Sequence, residues 1–388
     1  MDSDSLAAEI RAAARTLGFD LVGICPAVEP AGISRFAAWL SAGYAGEMHY
    51  LPDRQEAYAH PQHVLDGARS IVMLGMHYRT ADPACLQPGE GRVARYAWGG
   101  DYHDLIRARL NQLADRVRLL APQSSVRGVV DTAPLLEREF AQLAGIGWIG
   151  KNTLLINKQT GSWFLLAALL TDLELPYDAA HEQDHCGTCR ACLDACPTGA
   201  FVDAWQLDAR KCISYLTIEL RNPIDPALRS GVGEWLFGCD VCQEVCPWNH
   251  RAPESTEPAF AAREGMNPID LVALFDLDDA AFRARFRGSP LWRPKRRGLL
   301  RNAAIVLGNQ AAAGQGTPAA LTALLRGLAD NELLVRGTAA WALGQYQEPV
   351  ARDALWSRLQ IESDAEVIAE LNAALYPGSS TTSTRIAL

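Results

Sequence analysis

The sequence predicts a three-part protein: a mixed helix–strand domain of α/β or α+β type, a cysteine-rich segment, and an all-α region of paired helices. Three observations support this division. Helix-like and strand-like stretches mix through the first 180 residues, eight of the ten cysteines lie between residues 186 and 246, and two similar Ala-rich segments recur near the end. We expect parts at 1–180, 181–255 and 256–375, followed by a disordered tail at 376–388.

The first part contains both kinds of element. Apolar periodicity predicts helices at about 5–18, 34–42, 102–120 and 135–143, and strands at 21–24, 70–76, 126–130, 153–156 and 163–170. The longest apolar run, Trp163–Leu170, is too short to cross a bilayer. The acidic start has no basic region typical of a signal peptide. We therefore expect no membrane association and a cytoplasmic location, where thiols stay reduced.

Two cysteine runs define the central part. The first is Cys186-x-x-Cys189-x-x-Cys192-x-x-x-Cys196-Pro197, and the second is Cys239-x-x-Cys242-x-x-x-Cys246-Pro247, with Cys212 upstream. These eight thiols follow the ligand order of a two-cluster ferredoxin, in which the last cysteine of a run ligates the other cluster. This order predicts a ferredoxin-like domain with two 4Fe-4S clusters, one held by Cys186, Cys189, Cys192 and Cys246 and the other by Cys196, Cys212, Cys239 and Cys242. Structural zinc and disulfides are the alternatives, but zinc sites prefer paired CxxC hooks.

The C-terminal helices form a repeat. Arg301–Gly308 resembles Arg336–Gly344, and a weaker third copy lies at 365–375. A spacing of about 35 residues between copies is close to that of short HEAT-like helical pairs. Two ordinary Ala-rich helices are the alternative interpretation.

A basic stretch opposes the net charge of −9. Residues 283–301 include eight Arg or Lys and no Asp or Glu, with Phe286 and Trp292 between them. Cations with aromatic neighbours suit a phosphate backbone and unstacked bases. A solvated face beside acidic helices is the alternative.

Three further patterns do not carry the function that they suggest. Gly145-x-Gly147-x-x-Gly150 follows a predicted helix where a dinucleotide site needs a strand, and Asn152 replaces the Ser or Thr of a phosphate loop. Asp101-x-His103 begins like a cobalamin motif whose His ligates cobalt, but Ile106 stands where that motif needs Gly. We therefore expect His103 to be structural or solvent-facing and not a metal ligand.

Several segments together resemble the epoxyqueuosine reductase family, the iron–sulfur and cobalamin enzymes of the last step of tRNA queuosine synthesis. The matching segments are Ser70–Val72, Arg95–His103, Val130–Arg138, Ala144–Thr153, Cys196–Ala200, Cys212–Thr217 and Gly238–Gln243. The separation of Cys212 from Cys239 is itself a trait of that family, and the resemblance extends over nearly the whole chain.

The resemblance implies a corrinoid-binding N-terminal domain, similar to that of reductive dehalogenases, with cobalamin in its base-off form. The clusters would pass electrons from an external low-potential donor to the cobalamin, and epoxyqueuosine in the tRNA anticodon would be reduced to queuosine. By similarity, cobalamin contacts are expected from Ala94, Arg95, Asp131, Lys151, Asn152, Thr153, Leu155, Ser162 and Ser214.

The resemblance also gives Asp131 the role of proton donor, because an alkoxide leaves poorly unless an acid protonates it. Locally, Asp131 ends a predicted strand and precedes Pro134, where a helix cap is the alternative. An acid at neutral pH needs a raised pKa, which we expect from apolar burial. Phosphate contacts with tRNA are expected from Arg293, Lys295, Arg296, Arg297, Arg301 and Arg336.

Three other functions remain open on the sequence. They are a corrinoid iron–sulfur reductase of another substrate, such as a reductive dehalogenase, a non-catalytic ferredoxin-type electron carrier, and a tRNA-binding scaffold with structural clusters. A carrier has no need of the long N-terminal domain, and a respiratory dehalogenase has no need of the basic repeat region.

Overall fold

The computed structural model describes residues 2–377, and the predicted tail beyond residue 377 lies outside them. The helices are α1 (Ser3–Thr16), α2 (Ile33–Ser41), α3 (Tyr102–Leu120), α4 (Glu137–Leu143), α5 (Ala191–Asp194), α6 (Ile213–Ile218), α7 (Pro226–Val232), α8 (Val241–Glu244), α9 (Asp279–Phe286), α10 (Lys295–Ala312), α11 (Pro318–Leu328), α12 (Leu333–Leu343), α13 (Pro349–Leu359) and α14 (Ala365–Leu375). The strands are β1 (Leu21–Pro26), β2 (Ser70–His77), β3 (Glu90–Val93), β4 (Val126–Val129), β5 (Trp148–Ile149), β6 (Leu155–Ile156), β7 (Phe164–Thr171), β8 (Phe201–Asp203), β9 (Gln206–Leu207), β10 (Trp235–Phe237) and β11 (Ile269–Asp270).

A four-stranded sheet organises the N-terminal part. Its order is β1-β2-β7-β4, and every pairing is antiparallel, so this part is α+β and not a parallel α/β fold. Strand β2 is buried along its whole length because both faces of the sheet are covered. Val72 and Leu74 pack in a core with α1 and α3, whereas Ile71 and Met73 pack in a core with α4.

The sequence-based boundaries in this part hold with local differences. Helix α3 has the predicted bounds, and Gly18, with a φ of +82°, follows the end of α1 as a helix-terminating glycine should. The strand predicted at 153–156 is confined to Leu155–Ile156. The helix predicted from Leu135 begins only at Glu137 because the turn after β4 extends past Pro134.

A second sheet joins the three parts of the chain. Its order is β10-β3-β11, with β3 from the N-terminal part, β10 from the cysteine segment and β11 from the connector before the helices. Helix α10 packs against β10 on one side and α12 on the other. The cysteine segment is thus held between the first sheet and the helical stack.

The C-terminal helices stack as the repeat predicts. Helices α10, α12 and α14 pack in series, and α11 and α13 pack beside them. A Cβ added to Gly308 would lie 3.0 Å from Cα of Ala342, so glycine permits the close approach of α10 and α12. None of the described helices combines the length and the apolar character that a membrane span requires.

Candidate active site

A cavity of about 380 Å³ lies between the four-stranded sheet and the cysteine segment. It is lined by apolar side chains, three tyrosines, small polar groups, charged side chains and four thiols, including Leu155, Phe164, Leu165, Leu166, Tyr78, Tyr96, Tyr102, Asn152, Thr153, Ser162, Ser214, Asp131, Glu137, Arg138, Asp240, Cys196, Cys212, Cys239 and Cys242. Its volume and mostly apolar walls with a few polar groups are typical of a small-molecule site. We call it the central cavity.

The structure brings the eight predicted ligand thiols together in two groups of four. Cys196, Cys212, Cys239 and Cys242 line the central cavity, and Cys186, Cys189, Cys192 and Cys246 line a separate, smaller one. We call these the inner and outer thiol sets. Among residues 2–377 no three or more His, Cys, Asp or Glu side chains are arranged to hold a single metal ion, so each set surrounds a space and not a point.

The two thiol sets differ in their access to solvent. In the outer set Cys189 is exposed, whereas in the inner set burial raises the pKa of Cys242 and nearby Cys212 and Cys239 raise it further. In the outer set burial raises the pKa of Cys192, and its neighbour Cys246 adds to the effect. These mutual influences are those expected of thiols that face a common ligand.

Asp131 has an unusual backbone conformation at the edge of the central cavity. Its φ is +50°, in the left-handed region that Asp tolerates better than most residues. Its backbone N–H donates to Oε1 of Glu137, 3.0 Å away, in the first turn of α4. The N-cap of α4 is Leu136, so Asp131 is not the helix cap, which was the alternative to a role as proton donor.

A second left-handed residue faces the same cavity. Thr153 has a φ of +65°, which is strained for a β-branched residue, and its carbonyl accepts a hydrogen bond from Nη1 of Arg138, 3.0 Å away. Glu137 and Arg138 are consecutive residues of α4, so one helical turn holds both strained segments. Such strain concentrates at functional sites.

The carboxylate of Asp131 is held by two side chains of α3. Its Oδ2 accepts a hydrogen bond from the Tyr102 hydroxyl and lies 3.4 Å from Nε2 of His103. The second ring nitrogen of His103, Nδ1, lies 2.8 Å from Oδ1 of Asp101, which is also the N-cap of α3. The sequence interpretation of His103 as a structural or solvent-facing residue is therefore incomplete, since His103 contacts Asp131 directly.

These contacts set the direction of three pKa values. Burial disfavours ionised Asp131, but hydrogen bonds from His103 and Tyr102 outweigh it and lower the pKa of Asp131. Burial acts against protonation of His103, but the bonds to Asp101 and Asp131 raise its pKa to about 9. Burial, and then the charge of Asp131, raise the pKa of Glu137 to about 8.

The raised pKa expected for Asp131 is therefore not found in the protein alone. The adjacent imidazole stabilises the carboxylate more than burial destabilises it. At neutral pH the protons of this group rest on His103 and Glu137, and Asp131 lies between them.

Six of the nine predicted cobalamin contacts line the central cavity, namely Asp131, Asn152, Thr153, Leu155, Ser162 and Ser214. The apolar walls suit a flat macrocycle, and the hydroxyl and amide groups suit the amide side chains at its rim. Residues of these types therefore fit a corrinoid.

The other three predicted contacts lie elsewhere. Ala94 is buried outside the cavity, and the guanidinium of Arg95 lies 4.9 Å from the ring centre of Trp163 and 5.6 Å from that of Trp98. Lys151 donates through Nζ to backbone carbonyls of the outer thiol segment, including that of Cys189 at 3.0 Å. Arg95 and Lys151 are taken up by packing and loop contacts, which sequence spacing does not reveal.

A buried amide network fixes the inner thiol set to the sheet. Asn249 accepts from the backbone N–H of Ser162 at 2.7 Å and donates to the carbonyl of Gln243 at 2.8 Å. Gln243 in turn donates to the carbonyl of Ser162 at 3.1 Å. Since Gln243 follows Cys242 in α8, the network positions that thiol beside the cavity.

Two of the predicted phosphate contacts are buried. Arg301 has no exposed surface, and Nη1 donates to the carbonyls of Leu220 at 2.9 Å and Asn222 at 2.8 Å. Arg336 is also buried and forms two hydrogen bonds with Glu362, of 2.8 and 2.9 Å. A phosphate cannot reach either guanidinium in this structure, so we assign both to structural roles.

The exposed cations lie at the start of the helical stack. Arg296 is mostly covered and pairs with Asp330 at 2.5 Å, whereas five exposed residues, Arg283, Arg287, Arg293, Lys295 and Arg297, form what we call the basic surface. The carbonyl of Gly288 in this segment accepts from the backbone N–H of Asp101 at 3.1 Å. The basic surface therefore adjoins the residues that hold Asp131.

Comparisons with known proteins agree with this geometry. Residues 59–132 match the epoxyqueuosine reductase QueG family (DUF1730), residues 185–249 a 4Fe-4S double cluster binding domain, and residues 297–375 HEAT repeats. The chain is 42% identical to epoxyqueuosine reductase of Pseudomonas aeruginosa over 351 residues, which cover 89% of this chain and 96% of that protein. The chain belongs to the epoxyqueuosine reductase family.

Other members of the family give the same result. Epoxyqueuosine reductase of Escherichia coli K12 is 38% identical over 352 residues, 90% of this chain and 91% of that protein. A crystal structure of an epoxyqueuosine reductase with an epoxyqueuosine-modified tRNA-Tyr stem loop superposes with a TM-score of 0.88 at 30% identity, over 96% of this chain and 98% of that one. A Bacillus subtilis enzyme, solved with a catalytic loop swung out of the active site, gives a TM-score of 0.87 at 30% identity over the same shares.

Family membership decides several alternatives. The chain is an oxidoreductase with a 4Fe-4S binding domain and HEAT repeats, as the sequence predicts. The zinc and disulfide interpretations of the cysteines, and the two non-catalytic functions, are therefore set aside.

Proposed function

We propose that this chain reduces epoxyqueuosine to queuosine in the anticodon of tRNA, with two 4Fe-4S clusters that relay electrons to cobalamin and with Asp131 as the proton donor. One observation carries the proposal most directly. The inner thiol set and Asp131 line the same cavity, so an electron source and a proton-transfer group face one space.

The thiol sets give the electron path a direction. The outer set, with exposed Cys189, would receive electrons from an external low-potential donor, and the inner set would pass them into the central cavity. Cobalamin in that cavity would supply a strongly reducing metal centre. Asn152, Thr153, Leu155, Ser162 and Ser214 would hold and orient it from the cavity walls.

The side chains around Asp131 would supply the protons. Conversion of the epoxide to an alkene and water consumes two electrons and two protons. His103 is protonated at neutral pH and contacts the carboxylate of Asp131, so it can restore a proton that Asp131 gives to the epoxide oxygen. Glu137, whose pKa is about 8, also lines the central cavity and would be a second source of protons.

The basic surface would bind the tRNA backbone. Gly288 lies within the same segment, and its carbonyl accepts a hydrogen bond from the backbone N–H of Asp101. RNA bound to the basic surface would therefore reach the edge of the central cavity. The guanidinium of Arg293 lies 6.0 Å from the ring centre of Tyr50, and its Nη2 lies 2.8 Å from Oε2 of Glu219. We propose phosphate contacts from Arg293, Lys295 and Arg297, with a smaller contribution from Arg296, whose side chain is mostly covered.

The test is anaerobic turnover of epoxyqueuosine-containing tRNA by iron-replete protein, with and without cobalamin, followed by mass spectrometry of the nucleosides. We expect cobalamin-dependent loss of one oxygen atom, giving queuosine. Absence of conversion by protein that has bound corrinoid and iron would instead favour a corrinoid reductase of another substrate.

A further inference from the structure

The hairpin of β5 and β6 lies outside the four-stranded sheet and reaches the outer thiol set. A Cβ added to Gly147 would lie 2.1 Å from the carbonyl oxygen of Ile156, so this glycine lets the two strands close. Gly147, part of the pattern that resembles a nucleotide-binding loop, thus has its role in the β5–β6 hairpin. Trp148 and Lys151 of this hairpin both contact the segment that carries the outer thiols.

Trp148 is almost fully buried, with 1% of its surface exposed, and packs with Cys246. The rings of His185 and Trp248 meet it edge-on, at centre distances of 4.8 and 5.1 Å. Among the described residues its indole N–H has no hydrogen-bond partner. A buried donor without an acceptor is costly, and such a group in a native protein calls for an explanation.

The nearest chemistry that explains this donor is sulfur. Trp148 packs in one buried cluster with Cys246, and Cys186 is packed against that cluster. Two thiols of the outer set therefore lie beside the buried indole. The ammonium of Lys151 adds a positive charge beside the same loop through its bond to the carbonyl of Cys189.

We propose that Trp148 tunes the reduction potential of the cluster held by the outer thiol set, through donation from its indole N–H to a sulfur of that cluster. This role depends on the ligand set proposed above and is independent of the substrate. Reduction adds a negative charge to the cluster, so a donor to sulfur stabilises the reduced form more than the oxidised form. The indole therefore makes the outer cluster easier to reduce, which suits the point at which electrons enter.

The test is a dye-mediated redox titration of the full chain, with both clusters loaded, followed by low-temperature electron paramagnetic resonance. Trp148→Phe should shift the midpoint potential of one cluster to a more negative value and leave the other unchanged. Trp98→Phe is the matched control, since that buried indole already donates to the carbonyl of Val93 at 2.7 Å. Trp98→Phe should shift neither potential.

A Trp148→Phe protein with full iron content and two unchanged potentials would overturn the inference, and so would equal shifts of both clusters. If Trp148→Phe loses iron, site-specific 3-benzothienylalanine at position 148 keeps the bicyclic ring without the N–H, and the same negative shift is expected. Cys186→Ser identifies the outer cluster by its altered signal. A shift confined to the other cluster would therefore show that the ligand sets are assigned wrongly.

Discussion

The imidazole Nε2 of His103 lies 3.4 Å from Oδ2 of Asp131. Its Nδ1 lies 2.8 Å from Oδ1 of Asp101, so one ring joins two carboxylates at the edge of the central cavity. Two carboxylates stabilise the charged ring, which explains why its pKa rises to about 9 although burial acts against protonation. His103, in direct contact with Asp131, thereby holds the proton that Asp131 would deliver.

His103→Gln should slow single-turnover reduction by about 10- to 100-fold, because the amide fills the site but cannot supply a proton. In the wild-type protein the rate should fall as pH rises through about 9, where His103 loses its proton. The variant should lack that fall. Exposed His63→Gln serves as the control, and a variant profile that matches the wild type would remove His103 from proton transfer.

Glu137→Gln should change stability in a pH-dependent way. The folded protein raises the pKa of Glu137 from 4.5 to about 8, so the folded state favours the protonated form. That preference contributes fully to stability below 4.5 and is lost as pH rises through about 8. The unfolding free energy of the variant, compared with that of the wild type, should therefore rise as the pH increases from about 6 to about 9. Thermal unfolding at both values checks this, and a constant difference would contradict it.

Arg301→Met and Arg297→Gln should separate structural from RNA-binding arginines. Arg301→Met removes the donor to one buried and two partly buried carbonyls and should cost about 3 kcal/mol or more of unfolding free energy. Arg297→Gln alters an exposed side chain and should cost less than about 0.5 kcal/mol.

Binding of tRNA should show the opposite order. Arg297→Gln should weaken affinity and lower the slope of log affinity against log salt by about one. Folded Arg301→Met protein should keep the wild-type slope. Equal slopes for Arg297→Gln and wild type would place the RNA on another surface.

Asn249→Leu should loosen the inner thiol set. It removes the acceptor of the Ser162 N–H and the donor to Gln243, at a cost of about 1–3 kcal/mol for buried groups left unpaired. We expect a lower unfolding temperature and faster loss of iron. Asn372→Leu is the control, since that amide donates only within α14. Equal iron retention in the two variants would argue against the network's role.

Local pattern predicts much of this fold because the elements have clear periods and ends. Helix α3 has the predicted bounds, with Asp101 as its cap, and the cysteine order anticipates which four thiols share each cavity. Both results depend on spacing within short segments, which a single sequence shows directly.

Contacts between distant segments are the part that pattern does not give. Helix α10 is covered on nearly all sides, so no polar face distinguishes buried Arg301 from exposed Arg297. The contact of His103 with Asp131 joins residues far apart in sequence. The Asp101-x-His103 pattern places a carboxylate beside the imidazole, but it does not show that the same ring also contacts Asp131. Trp148 gives no signal in the sequence, because only the fold shows that its N–H lacks a partner.

The most direct measurement compares wild-type and Asp131→Asn proteins, both loaded with iron and cobalamin, in anaerobic single turnover of epoxyqueuosine-containing tRNA. Nucleoside mass spectrometry should show queuosine from the wild type and a rate lower by about 10²- to 10⁴-fold from the variant, since the amide cannot act as the acid. The variant should retain both cofactors. A near wild-type rate for Asp131→Asn, or no queuosine from the loaded wild type, would contradict the account.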